Sequence, residues 1–400
     1  MPEADRYAYP LTMDSWGDAE RRAAIAVIES GRTTMGPRVA EFEARFAALF
    51  GVRHAVMVNS GSSANLLAVA ALLYAREPFA QPGGVAIVPA VSWPTTYYPL
   101  CQHGLILRFV DIDRHTLNFD LAALERALDD RVSVVFAVNL LGNPNDYDAI
   151  ASLLAGRDIT LIEDNCESTG ARLGGRWAGG FGRIGTFSTF FSHHISTMEG
   201  GVCVTDDEEV HHILLSLRSH GWTRGLPWPN RVAEPDPRGA FHEAFRFVLP
   251  GYNVRPLEVC GAVGIEQLKR LPGFVARRRD MARRLSARFA DLAGVRMQRE
   301  IGESSWFGFA FILTEAALAD RDTVVARLDA AGVECRPVVA GNFTRQQVLA
   351  RLAHEPPGPL PNADEIHERG FYIGNNALDD DGLDRLHAAF VDALRPVGRS

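Results

Sequence analysis

The chain has 400 residues, 47% hydrophobic and 22% charged, which describes an ordinary globular protein long enough for two lobes and excludes disordered, collagen-like and low-complexity classes. Lysine and arginine total 41 against 49 aspartates and glutamates, a formal net charge of −8 with no basic run, so nucleic acid is not an expected partner. No run of about 18 apolar residues occurs, MPEADRYAYPLTMDSW has no signal-like region, and the five scattered cysteines (Cys101, Cys166, Cys203, Cys260, Cys335) form no CxxC pair, so the expectation is a cytoplasmic, membrane-free protein without disulfides or zinc.

From about residue 50 to 206, apolar runs alternate with helical patterns. HAVMVNS precedes SSANLLAVAALL, VAIVPA precedes WPTTYYPLCQHG, ILRFVDID precedes LAALERALDD, VSVVFAVNL precedes DAIASLLAG, and ITLIED closes the series. This alternation predicts an α/β fold whose mostly parallel sheet is covered on both faces, with ligands outside the carboxyl ends of the strands. Two β-rich runs, 185–191 and 201–205, adjoin that edge. Residues 207–221 have helical spacing in Val210, Ile213, Leu214 and Leu217. The segment 224–250 carries five prolines and weak periodicity, and reads as a long loop over the site or over a subunit interface. Residues 256–292 read as long helices broken near Pro272. The expected division is 1–255 for an N-terminal segment and large domain, 256–292 for connecting helices, and 293–400 for a small C-terminal α+β domain. In the last, FGFAFIL and ECRPVV read as strands, DRDTVVARLDAAG as a helix, and 381–394 as a closing helix.

Four constellations can carry chemistry. Ser60-Gly61-Ser62-Ser63-Ala64-Asn65 lies between a strand and a helix, where free N–H groups and hydroxyls suit a phosphate, although Ser-rich turns are also ordinary helix caps. Glu163-Asp164-Asn165-Cys166-Glu167 closes an apolar strand, so Asp164 lies at the ligand edge or caps a helix. Trp93 follows the strand VAIVP and can cover a flat ring, or be core. Ser188, His193-His194 and Glu199-Gly200-Gly201 combine a hydroxyl, two imidazoles and a close backbone turn; alone, such a histidine pair is more often structural. In combination the bland readings lose ground.

These four runs, in this order, resemble the DegT/DnrJ/StrS sugar aminotransferase family, fold-type I enzymes that use pyridoxal 5′-phosphate (PLP) on nucleotide sugars. VPAVSWPTTYYPL, VNLLGNPND, LIEDNCES, FFSHHISTMEGG, SHGWTR, VLPGYNVRPLE, GIEQLKRLP, GESSWFGF and ECRPVVAGNF carry the likeness, from about residue 8 to beyond 376. The resemblance implies an aspartate aminotransferase-like large domain that binds PLP. It implies that Asp164 pairs with the pyridinium nitrogen, Trp93 stacks on the ring, and Gly61, Ser62 and Ser188 hold the phosphate. Asn253 is implied to reach the cofactor phosphate of a neighbouring subunit, making a homodimer with shared sites. Glu167 stands where the aminotransferases usually have Gln or His.

Where the family carries its cofactor-tethering lysine, this chain has His193. The single lysine, Lys269, lies in GIEQLKRL, a charged helix face. Imidazole cannot make the tether but, with an ordinary pKa of about 6.5, can take and return protons. The implied activity is therefore 3-dehydration of a nucleotide-linked 4-keto-6-deoxyhexose, GDP-4-keto-6-deoxymannose foremost, in 3,6-dideoxysugar (colitose-type) biosynthesis. L-glutamate is the implied amino donor, pyridoxamine 5′-phosphate (PMP) the aminated cofactor, ammonia a product, and His193 the base. A PLP aminotransferase is the alternative, disfavoured for want of a lysine; a silent scaffold is disfavoured because the phosphate cup, Asp164 and the base are all retained. A second histidine-bearing branch uses an iron–sulfur cluster and a reductase and has three closely spaced cysteines after the histidine. Here the next cysteine after Cys203 is Cys260, so neither cluster nor reductase is expected. Thr34 and Met35 in the loop Arg32–Gly36, with His220, Trp222 and Arg224, are candidates for the sugar and diphosphate, or are ordinary surface residues. Glu334 is a candidate for the neighbouring site, and Asn376 stands where the close relative carries a histidine.

Overall fold

A computed structural model of the protein describes residues 6–12 and 14–396. Helices α1 (Asp18–Glu29) and α2 (Pro37–Phe50) precede strand β1 (His54–Val58). Helices and strands then alternate through α3 (Gly61–Tyr74), β2 (Val85–Pro89), α4 (Pro94–Gln102), β3 (Ile106–Val110), α5 (Leu121–Ala127), β4 (Val132–Val138), α6 (Tyr147–Leu154) and β5 (Thr160–Asp164). A hairpin of β6 (Arg172–Leu173) and β7 (Arg176–Trp177) leads to β8 (Ile184–Ser188), β9 (Gly201–Thr205) and α7 (Glu208–Leu217). After the short α8 (Ala240–Glu243) and the long α9 (Glu258–Phe289) come β10 (Val295–Met297), β11 (Gly308–Leu313), α10 (Arg321–Ala330), β12 (Cys335–Arg336), α11 (Pro361–Arg369), β13 (Gly370–Gly374) and α12 (Asp380–Ala393).

The large sheet has the order β1-β9-β8-β5-β4-β2-β3. Pairings from β8 to β3 are parallel, and only β9 runs against its neighbours. Every residue of β2, β8 and β9 is buried, as a sheet covered on both faces requires. Register places Val138 beside Asp164 and Asp164 beside Thr186, so the carboxyl ends of β4, β5 and β8 meet at one edge. The remaining strands form an antiparallel sheet, β10-β11-β13-β12, with its own core around Phe311, Phe371 and Phe390. It is tied to the large sheet just before β11, where Ser305 and Phe307 N–H donate to the Gly142 and Leu141 carbonyls, both at 2.9 Å.

The expected break near Pro272 does not occur: α9 is one helix of 32 residues with Pro272 inside it. An interior proline costs about 3 kcal/mol. Burial of an aliphatic side chain gives about 1.5–3 kcal/mol, and Val263, Leu268, Leu271, Val275 and Leu285 are all buried along α9 while Pro272 faces outward. Packing therefore outweighs the proline. The segment 224–250 is largely irregular as expected, with Phe245 and Phe247 packed against Trp222 at 5.3 and 5.7 Å. No helix among the described residues is long and apolar enough to cross a membrane.

Candidate active site

A cavity of about 340 Å³ opens at the carboxyl edge of the large sheet. Its floor begins where α3 starts. Ser60 caps that helix, its Oγ accepting from Ser63 N at 3.1 Å, so the remaining first-turn N–H groups are left for a ligand. Gly61 is required by contact: a Cβ there would lie 2.7 Å from Ser188 Cβ and 2.9 Å from Cys166 Sγ. Gly201 presses equally close, at 2.2 Å from the Ser60 carbonyl oxygen for an added Cβ. The two glycines thus let α3, β8 and β9 bring Ser62 and Ser188 onto one wall, and Ser62 Oγ reaches Thr95 Oγ1 at 3.3 Å.

Asp164, 5% exposed, ends β5 at the back of the cavity. Its Oδ2 accepts from Asn65 Nδ2 at 2.8 Å and Thr96 Oγ1 at 3.0 Å, and its Oδ1 from Cys166 N at 3.1 Å. Asn65 is itself oriented by Thr186 Oγ1 at 2.6 Å, and Thr96 contacts Ser92 at 2.8 Å. The carboxylate is therefore held in one orientation. Trp93, N-cap of α4 and 57% exposed, leaves its indole free at the mouth.

His193 also lines the cavity, its Nδ1 2.5 Å from the Cys166 carbonyl. A carbonyl only accepts, so Nδ1 carries the proton and Nε2 keeps its lone pair. Burial pushes the imidazole down to about 4, against the Cys166 carbonyl and Asp164, which favour the cation. The ring is thus a neutral base near pH 7, packed by Phe307 at 5.1 Å and Phe190 at 6.1 Å. His194 is 2% exposed and turns the other way, with Nε2 3.1 Å from the Ser305 carbonyl. Glu167 also lines the cavity. Its Oε2 accepts from Leu141 N at 2.8 Å, and burial, aided by the Asp164 charge, pushes its carboxyl up to about 7.

Free first-turn N–H groups with two serine hydroxyls, a buried carboxylate, an exposed indole and a neutral imidazole, all on one cavity, fit a phosphorylated, nitrogen-containing aromatic ring. The sequence profile of the DegT/DnrJ/EryC1/StrS aminotransferase family matches residues 15–390. The chain belongs to that family. Within it, the chain is 50% identical over 372 residues to the GDP-4-keto-6-deoxy-D-mannose 3-dehydratase of Yersinia pseudotuberculosis, covering 93% of this chain and 95% of that one. The Escherichia coli GDP-4-keto-6-deoxy-D-mannose-3-dehydratase with bound hydrated PLP superposes with a TM-score of 0.94 at 49% identity, over 96% of this chain and 99% of that one. A GDP-4-keto-6-deoxymannose-3-dehydratase with a trapped PLP-glutamate geminal diamine gives 0.93 at 48% identity, over 97% and 100%.

The fold thus brings Gly61, Ser62, Trp93, Asp164, Glu167, Ser188 and His193 to one cavity. The other candidates lie outside it in this chain. Thr34 pairs with Leu257 and Asn253 with Ser219, in isolated bridges that gather Thr34, Met35, His220 and Asn253 on neighbouring segments. His220 has a left-handed backbone, φ 64°, and Arg224 stacks on Trp222 at 5.1 Å. Glu334 is engaged locally, accepting from Leu11 N at 2.8 Å and pairing with Arg336 at 2.7 Å. Asn376 is buried and donates to the Pro10 carbonyl. Phe307, Val339 and Tyr372 complete the wall from beyond α9; the first two lie in GESSWFGF and ECRPVVAGNF, runs that carry the family likeness, but none of the three stood out as a site residue. Thr95 and Thr96 were within reach of sequence reasoning, since a Pro at the first helical position after Trp93 fixes where α4 begins.

Proposed function

We propose that the protein is a PLP- and PMP-dependent 3-dehydratase of GDP-4-keto-6-deoxy-D-mannose, with L-glutamate as amino donor, in dideoxysugar biosynthesis. The observation that carries the reading is His193 in the place of a lysine within a site otherwise complete for PLP. Lys269, the only lysine, is exposed on α9 and pairs with Glu266 at 2.6 Å, so the aminotransferase alternative has no amine to use. The cofactor, when bound, supplies an electron-withdrawing ring that activates the sugar next to its C4 ketone for loss of the C3 hydroxyl.

The chain's own groups do the rest. The first turn of α3 with Ser62 and Ser188 binds phosphate, Trp93 covers the ring, and Asp164 holds a ring N–H in place through its three fixed donors. Nε2 of His193 takes a proton beside the ring and returns one to the departing C3 oxygen, which a neutral imidazole can do in sequence. Because that imidazole forms no covalent bond to the cofactor, it cannot displace an amino sugar, and nitrogen leaves as ammonia. Removing the C3 oxygen is a two-electron reduction of the sugar, balanced by oxidation of glutamate to 2-oxoglutarate. No iron–sulfur cluster or reductase is needed.

The patch of Thr34, Met35, His220, Arg224 and Asn253, with Glu334, is read as completing the cavity of a second copy, where guanidinium and indole suit a nucleotide diphosphate. The working unit is then a cytoplasmic homodimer with shared sites. Incubation with PLP, glutamate and GDP-, CDP- or dTDP-linked 4-keto-6-deoxyhexoses tests the reading. Ammonia and a 3-deoxy product are expected with the GDP sugar; an amino sugar, or no ammonia with any of the three, overturns it.

A further inference from the structure

Arg278 lies on α9 behind the wall of the cavity that faces His193. Its neighbour Arg279 pairs with Glu303 at 2.6 Å, but Arg278 has no carboxylate partner among the described residues. Instead its Nη1 donates to the Trp306 carbonyl at 3.2 Å and the Phe307 carbonyl at 3.1 Å. Asn375 doubles the clamp, donating to the Trp306 carbonyl at 2.8 Å and to that of Arg278 at 3.1 Å. Trp306 has φ 50°, a left-handed conformation that a bulky residue keeps only when its surroundings hold it. That turn delivers the Phe307 ring against the His193 imidazole at 5.1 Å.

We infer that Arg278 is a positioning residue for His193: by fixing the Trp306 and Phe307 carbonyls it holds the aromatic wall that sets where the imidazole stands. Its charge acts in the same place. The half-buried side chain has no acidic partner among the described residues, which is costly for a cation, and desolvation lowers the guanidinium pKa to about 10. From behind Phe307, Arg278 works against the cationic form of His193, while the Cys166 carbonyl and Asp164 favour it. Cys166, Glu167, Glu199 and Tyr372 are the other titratable groups on the cavity wall, and His194 packs behind it. Nη1 alone reaches both carbonyls from a rigid, planar group, a placement that the flexible lysine stem holds only in part.

This inference rests on reading His193 as the base. The test compares Arg278→Met and Arg278→Lys in the full chain by dehydration kinetics with PLP and by ¹⁵N titration of the His193 ring without it. For Arg278→Met, kcat falls about tenfold while the sugar KM stays within about threefold, as expected for misplacement of a reacting group. The His193 midpoint rises by a small step, because a repelling charge has gone while burial, the main cause of its low value, remains. Arg278→Lys restores the midpoint and only part of kcat. Parental kcat and midpoint in Arg278→Met overturn the inference. If Arg278→Met does not fold, Phe307→Leu, which keeps the clamped carbonyls, takes its place: kcat falls at unchanged KM, and a parental kcat overturns the inference. The two readings fail separately: a parental rate in His193→Asn removes the base itself, whereas an inactive His193→Asn beside a parental Arg278→Met removes only the role of Arg278.

Discussion

Replacing Gly61 by alanine isolates the phosphate cup. The added Cβ would meet Ser188 Cβ at 2.7 Å and Cys166 Sγ at 2.9 Å, where ordinary contact begins at 3.4 Å. The obstacle is not a flexible tip, since Ser188 Cα stands only 3.2 Å away. The first turn of α3 must therefore recede from β8 by about 0.7 Å in a close-packed interior. Overpacking of this kind costs about 1–3 kcal/mol of stability. It also moves the first-turn N–H groups out of the roughly 2.7–3.2 Å range of a good hydrogen bond, each charge-assisted one contributing about 1.5–3 kcal/mol. Loss of one such bond weakens PLP binding about ten- to hundredfold. Absorbance titration of cofactor-depleted protein with PLP measures the affinity, and urea denaturation measures the stability. A parental Kd together with parental stability in Gly61→Ala would refute the reasoning.

Glu167 gives a pH signature. Its carboxyl rises from 4.5 to about 7 on folding, so the folded chain holds an extra proton between those values and loses stability as pH climbs through 7. Glu167→Gln keeps an acceptor for Leu141 N and removes that loss, so its gain over the parent grows from pH 5 to pH 8. The gain reaches on the order of 1–2 kcal/mol, discounted for the side chain's partial exposure to the cavity. An equal difference at both pH values in urea denaturation contradicts this account of Glu167. Shared sites predict complementation: His193→Asn and Asn253→Ala, each impaired alone, regain dehydration when mixed and allowed to exchange subunits, because one site in the mixed dimer carries neither change. No recovery despite subunit exchange, followed by mass spectrometry, contradicts the placement of Asn253.

The large sheet was legible because covered parallel strands are apolar on both faces and the intervening helices break the pattern at regular intervals. Asp164 and Ser188 could be placed at the ligand edge because each ends such a strand. Pro272 misled because a local rule about proline carries no information on the apolar side chains that keep α9 continuous through it. Asn65, Thr186 and Thr96, which orient Asp164, lie in motifs that could be seen, but their convergence needs the register of β5 and β8. Phe307, Val339 and Tyr372 reach the cavity from more than 100 residues beyond His193. Long-range ties such as those of Phe307 to Leu141, Ser305 to Gly142 and Phe343 to Ala90 put them there. The histidine pair is apportioned through the family resemblance, which puts His193 at the lysine position; spacing alone does not say that one ring faces the cavity and the other the Ser305 carbonyl.

The central claim is that Nε2 of His193 moves the proton that makes dehydration possible. The direct measurement is the rate of 3-deoxy sugar formation by His193→Asn, with PLP affinity determined on the same sample. Loss of a general acid–base group predicts a fall of about 10²–10⁴-fold, with PLP affinity close to that of the parent because the cup, Asp164 and Trp93 are untouched. A rate near the parental one, at equal cofactor occupancy, contradicts the claim.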